Sequence, residues 1–207
     1  MKRFLILTTA LLLVLALGVN AQEATAAKKM HFGITGGLSM GNLSGSDADP
    51  GVGESKKMRV GFAGGVFADF GLGTTFALQP QLLYVQKGVK YEATGATEKN
   101  KFDYLEVPVL LKWVPQMQGK MQPTIFVGPY LGFLMSAKSD TVDVKDSLKT
   151  TDFGITFGAG FGSKMTSGEL FFDVRLDLGL TEIDDSAVPS NVKNTAFMAM
   201  VGYKFGN

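Results

Sequence analysis

The sequence predicts an all-β protein: an eight-stranded antiparallel up-and-down transmembrane β-barrel, preceded by a cleaved signal peptide. Three observations lead there. Long stretches alternate apolar and polar residues with period two. The connections between those stretches alternate long and short. An apolar N-terminal run marks the chain for export, and no later apolar run reaches the roughly 18 residues that a spanning helix needs.

The clearest alternation is Glu169 to Leu180. Leu170, Phe172, Val174, Leu176, Leu178 and Leu180 share one face; Glu169, Asp173, Arg175 and Asp177 lie on the other. Side chains of a strand point to opposite faces in turn, so this is a strand with one oily and one charged side. Its length suits a tilted membrane-crossing strand.

Met1 to Ala21 reads as a secretory signal: Lys2 and Arg3, an apolar run from Phe4 to Leu17, and small residues at a cleavage point before Gln22. Residues 22–29 form a short polar leader, and 30–207 the barrel. Cleavage removes Lys2 and Arg3 and takes the net charge from +1 to −1, which gives no electrostatic case for nucleic acid. There is no cysteine, so disulfides contribute nothing.

The first strand is expected over about Met30 to Leu43 and the second over Lys57 to Phe70, separated by a polar loop. A tight Gly71-Leu72-Gly73-Thr74 turn leads to the third, Thr75 to Lys87. Residues 88–100 read as a second long loop. The fourth strand, Lys101 to Val114, sets Leu105, Val107, Val109, Leu111 and Trp113 against Tyr104, Glu106 and Lys112. The fifth, Pro123 to Ala137, follows a short turn. After a third long loop the sixth, Thr151 to Lys164, alternates phenylalanines with glycines. A short turn leads to the seventh, described above, and a fourth long loop to the eighth, Asn194 to Phe205. This alternation is that of an outer-membrane barrel with its termini and short turns at the periplasmic end. Pro80, Pro108 and Pro129 fall inside strands, and bulges are expected there.

Aromatics support the same orientation. Phe32, Phe70, Phe76, Trp113, Phe161, Phe172, Tyr203 and Phe205 fall on the oily face near the short-turn rim, as an interfacial girdle should. A soluble barrel would instead turn its second face to water. In the first and sixth strands that face is mostly glycine with Thr and Ser, far too poor in charge for a wetted surface. Small residues suit a narrow lumen, since eight strands leave room only for side chains.

The candidate site is the charge inside that lumen. Arg59, Asp69, Glu106, Lys112, Lys164, Asp173, Arg175, Asp177 and Lys204 all fall on the inward face by alternation. Unpaired charge in a narrow barrel is costly, so these are expected to pair across strands as a structural plug; the alternative is a gated ion path. The chain's one histidine, His31, stands at the periplasmic start of the first strand without a serine and acid beside it, so no enzyme is expected. The loop acids lack the spacing of a calcium loop, and neither metal nor cofactor is expected.

Tyr104-Leu105-Glu106-Val107-Pro108-Val109-Leu110-Leu111-Lys112 resembles the corresponding strand of the PorT-like outer-membrane β-barrel family of Bacteroidetes. Gly128-Pro129-Tyr130-Leu131-Gly132, Leu78-Gln79-Pro80-Gln81-Leu82-Leu83-Tyr84 and the final Gly202-Tyr203-Lys204-Phe205 resemble its other strands. The resemblance covers essentially the whole mature chain. It implies that the strand prolines are family features, and it implies residence in the outer membrane of a Gram-negative cell with a link to secretion. The expected role is a structural or interaction scaffold, with a small passive porin-like pore as the alternative and a lipid-modifying enzyme as the least favoured. Expected partners are outer-membrane lipid and lipopolysaccharide, the barrel-assembly machinery, and secretion-complex or surface proteins.

Overall fold

The computed structural model describes residues 30–49, 54–93, 96–185 and 190–206. The signal peptide and polar leader lie outside them. Within them the chain is nearly all strand: β1 (Met30–Ser44), β2 (Ser55–Leu72), β3 (Phe76–Ala93), β4 (Ala96–Trp113), β5 (Met121–Ser139), β6 (Val142–Asp143), β7 (Thr151–Met165), β8 (Gly168–Gly179) and β9 (Lys193–Phe205). Short 3₁₀ turns at Ser46–Ala48 and Lys145–Ser147 interrupt the long loops.

Every barrel strand pairs antiparallel with its neighbour, in the order β4-β3-β2-β1-β9-β8-β7-β5, and β4 pairs with β5 to close the ring. The two-residue β6 adds to the outer end of β5 and is not part of the ring. The barrel therefore has eight strands, as the alternation of long and short connections predicts. Closure leaves no edge, so every strand hydrogen-bonds on both sides, which is what a lipid environment demands.

The alternation sorts side chains to two surfaces. Ile34, Leu38, Phe62, Val66, Ile125 and Val127 are half or more exposed on the outside, although all are apolar. An apolar belt of this extent on a closed barrel is a lipid-facing surface. The girdle residues stand on the same outer face by the short turns. Phe161 packs on Phe172 across β7 and β8 at 5.8 Å, and Tyr203 on Phe205 at 5.2 Å, with the Tyr203 hydroxyl 2.9 Å from that of Ser167.

The glycine-rich inner faces have a specific use. Rings from neighbouring strands lie over them: Tyr130 over Gly154, Phe126 over Gly158, Phe67 over Gly33 and Phe171 over Gly202. A Cβ at any of these glycines would meet the ring, so the small residue on one strand makes room for the large one on the next.

Two expectations are corrected. Residues 88–100 are not a long loop: β3 and β4 continue pairing to Ala93 and Ala96, so this hairpin extends well past the apolar belt. The three prolines cause no bulge. Register is unchanged across Pro80, which faces Val109, across Pro108, which faces Tyr130, and across Pro129, which faces Ile155. A proline removes one N–H, hence one rung toward one neighbour, and the rungs on either side hold the register. The shifts occur instead between Met58 and Ala63 on β2, and between Asp103 and Tyr104 on β4.

Candidate functional site

Buried side chains pack the lumen in clusters between the long-loop and short-turn ends. Nearest the long loops sits an apolar layer of Leu43, Ala48, Val89, Phe102, Leu134, Ala137 and Ile183. Ala63 from β2, Leu83 and Val85 from β3, and Met198 and Met200 from β9 form a second apolar cluster. Toward the short turns Phe67 meets Phe171 edge-on at 5.5 Å. Polar groups that interrupt such packing must find partners, and most of them do so in two networks.

The first is built on Lys87, which β3 points inward and which is wholly buried. Its Nζ lies 2.7 Å from Glu106 and 3.8 Å from both Asp152 and Asp177, and 4.4 Å from the centre of the Tyr130 ring. The Tyr130 hydroxyl donates to Asp152 at 3.2 Å, and Asn194 donates to Asp152 and to the Tyr104 hydroxyl, each at 3.0 Å. Thr156 donates to Asp177 at 2.6 Å. One cation thus faces three carboxylates, contributed by β4, β7 and β8.

The second network centres on Arg175. Its guanidinium donates to Asp173 at 3.0 Å on the same strand and to Gln81 at 2.9 Å across the lumen. Gln81 donates to Gln79 at 2.8 Å, and Gln79 to Asp69 at 3.1 Å. Lys112 approaches Asp69 at 3.8 Å and lies over the Phe171 ring. Charges balance here, two against two. The Arg175–Gln81 bond joins residues on strands that are not neighbours in the sheet order, so it ties one wall of the barrel to another.

Of the residues that alternation places inward, Asp69, Glu106, Lys112, Asp173, Arg175 and Asp177 enter these networks. Arg59 is half-buried and donates to the Lys87 carbonyl at 2.6 Å, so it touches the first network only through backbone. Lys164 and Lys204 are not part of the plug. Both stand at the short-turn rim, where β7 and β9 run out of the barrel; Lys164 is exposed, and Lys204 pairs with Glu169 at 2.7 Å. Lys87, Asp152, Tyr104, Tyr130 and Asn194 complete the first network and were not singled out by charge pattern. Alternation alone puts Lys87 and Asp152 on the inner face, so period two was the signal for both.

At the long-loop end a cleft of about 420 Å³ opens above the apolar layer. Leu43, Phe102, Val144, Leu148 and Ile183 form its floor, and Glu98, Asn100 and Ser139 its rim. Among the described residues no group of three or more His, Cys, Asp or Glu is placed to hold a metal ion.

Residues 20–185 match the family model described as outer membrane protein beta-barrel domain. The chain belongs to that family. A comparison with curated protein sequences finds no match. Among solved structures, this outer-membrane barrel is similar to Neisserial surface protein A, with a TM-score of 0.55 and 13% identity over 85% of this chain and 97% of that one. It is similar also to the outer membrane protein OprG from Pseudomonas aeruginosa, with a TM-score of 0.53 and 15% identity over 87% and 98% of the two chains. At such identity the likeness shows the fold alone. Family and fold together place this barrel in the outer membrane.

Proposed function

We propose that this protein is a closed outer-membrane scaffold that acts through its long-loop end and conducts no solute. The observation that carries the reading is the plug. Lys87 and Glu106 are wholly buried and Arg175 is 2% exposed, all in a lumen that eight strands leave narrow to begin with. Opening a path would separate buried ion pairs, which costs several kcal/mol for each charge left alone. Features that could meet a partner stand instead above the membrane: the extended β3–β4 hairpin and the cleft beside it. The PorT-like motif around Tyr104 to Lys112 favours a partner in secretion.

Planar-bilayer recording of the purified chain tests the closed lumen. No stable conductance is expected from the native protein. A reproducible open conductance that shifts on Arg175→Ala would overturn the reading and leave the passive pore in its place.

A further inference from the structure

Register brings together a set of lysines that the sequence scatters. Lys57 on β2 faces Lys90 on β3, and Lys90 faces Lys99 on β4. One pleat nearer the membrane, Lys101 on β4 faces Lys138 on β5. Their neighbours fix the direction in which they point. Val89 and Phe102 are buried inward, and Tyr91, Glu98, Asn100 and Ser139 line the cleft, so the lysines between them project from the outer wall. Directly opposed residues have Cβ atoms only about 5 Å apart, and like charges so placed destabilise the sheet.

The acids nearby cancel this patch only in part: Asp143 on β6 stands directly opposite Lys138, with one oxygen taken by the Lys145 backbone N–H. Glu92 is paired with Lys57, and Asp103 lies near Tyr84 and Arg59. Asp140 turns an oxygen onto the Lys99 backbone N–H at 3.0 Å. The ion pairs at this end of the described chain are Lys56–Asp49, Lys57–Glu92 and Lys149–Glu182. Lys90, Lys99, Lys101 and Lys138 are in none of them.

The patch also lies at a defined height. On β4 the outward residues run Trp113, Leu111, Val109, Val107, Leu105, then Asp103, Lys101 and Lys99. Lys101 is four residues beyond the last apolar one, about 13 Å along a tilted strand. That is headgroup depth on the long-loop side of the bilayer.

We propose that this wall of β2 to β5 binds the phosphates of an outer-leaflet phosphorylated glycolipid. A phosphate between opposed lysines removes their repulsion, and an array of them matches an anion carried by a lipid held at that depth. The site is independent of the closed lumen, and either proposal can fail without the other.

The test is calorimetric titration of the full chain in detergent with bisphosphorylated lipid A, with the same glycolipid stripped of phosphate, and with inorganic phosphate. Binding of lipid A is expected, at least fivefold tighter than the dephosphorylated form. Each lysine near an anionic surface contributes about fivefold, so Lys101→Gln with Lys138→Gln should weaken lipid A binding about 25-fold. A loss under fivefold in that variant, or equal binding of the dephosphorylated lipid, would overturn the proposal. Inorganic phosphate displacing lipid A at equal concentration would overturn the lipid as source. If the variant loses its heat-modifiable gel mobility, the native chain with the two lipids decides.

Discussion

Replacing Lys87 with methionine removes the one cation from a buried group that keeps three carboxylates. The distances set the scale. At an effective dielectric of about 20, a unit charge at 2.7 Å attracts Glu106 by roughly 6 kcal/mol, and Asp152 and Asp177 at 3.8 Å by roughly 4 kcal/mol each. These are gross attractions. Dehydrating Lys87 costs several kcal/mol against them, since it is wholly buried. The net loss expected for Lys87→Met is about 3–5 kcal/mol, the range for leaving a buried charge without its partner. Adding Glu106→Leu should restore much of it, because the nearest orphaned carboxylate leaves with its desolvation cost. The assay is guanidinium unfolding of the barrel in lipid vesicles, followed by fluorescence and extrapolated linearly to water. A Lys87→Met barrel within about 1 kcal/mol of native would refute the plug as a source of stability. So would strict additivity of the two changes, since residues in one network should couple by 0.5–3 kcal/mol.

The rim lysines should behave in the opposite way. Lys164→Ala is expected to leave stability within about 0.5 kcal/mol in the same unfolding assay. Lys204→Ala should cost no more than about 1 kcal/mol, because its pair with Glu169 keeps 22% and 17% of the side chains exposed. Trp113 is the chain's single tryptophan and stands outward at the short-turn rim, 40% exposed. Its emission should be quenched more strongly by lipids brominated near the headgroup than by lipids brominated at the chain ends. The reverse order would move the girdle away from the interface.

Much of the fold was legible because a membrane barrel obeys a single rule. Period two decides which residues meet lipid, and one rule read along Glu169 to Leu180 works again on the other strands up to the register shifts in β2 and between β4 and β5. What the rule leaves out is partner identity. It puts Glu106 and Lys112 on the same inner face of β4, yet they enter different networks, because pairing depends on depth and on stagger between strands. Lys164 and Lys204 obey the alternation and still miss the lumen, because inward direction means nothing past the end of the barrel. The β3–β4 hairpin was missed for a related reason. Residues 88–100 are polar on the outer face and carry only Val89 and Tyr91 as large apolar groups on the inner one, and polar residues pair well enough when the strand stands in water.

The same limit explains why the lysine wall is visible only in the structure. Lys90, Lys99 and Lys138 sit in segments that composition marks as solvated loop, and Lys57 and Lys101 only open the expected second and fourth strands. Only the register sets them opposite one another, and β2 is in step with β3 there only because one extra residue enters β2 between Met58 and Ala63. Without that shift Lys57 would turn to the inner face, and the row across β2, β3 and β4 would be broken. A second shift, between Asp103 and Tyr104, lies just below Lys101 and sets that lysine opposite Lys138. Both irregularities of the barrel therefore fall at the upper edge of the apolar belt, under the lysines. A bulge costs ladder hydrogen bonds, and at this depth water and headgroups can replace them, whereas in the hydrocarbon nothing can. The position of the bulges and the position of the charge are thus two consequences of the same boundary between lipid tails and headgroups.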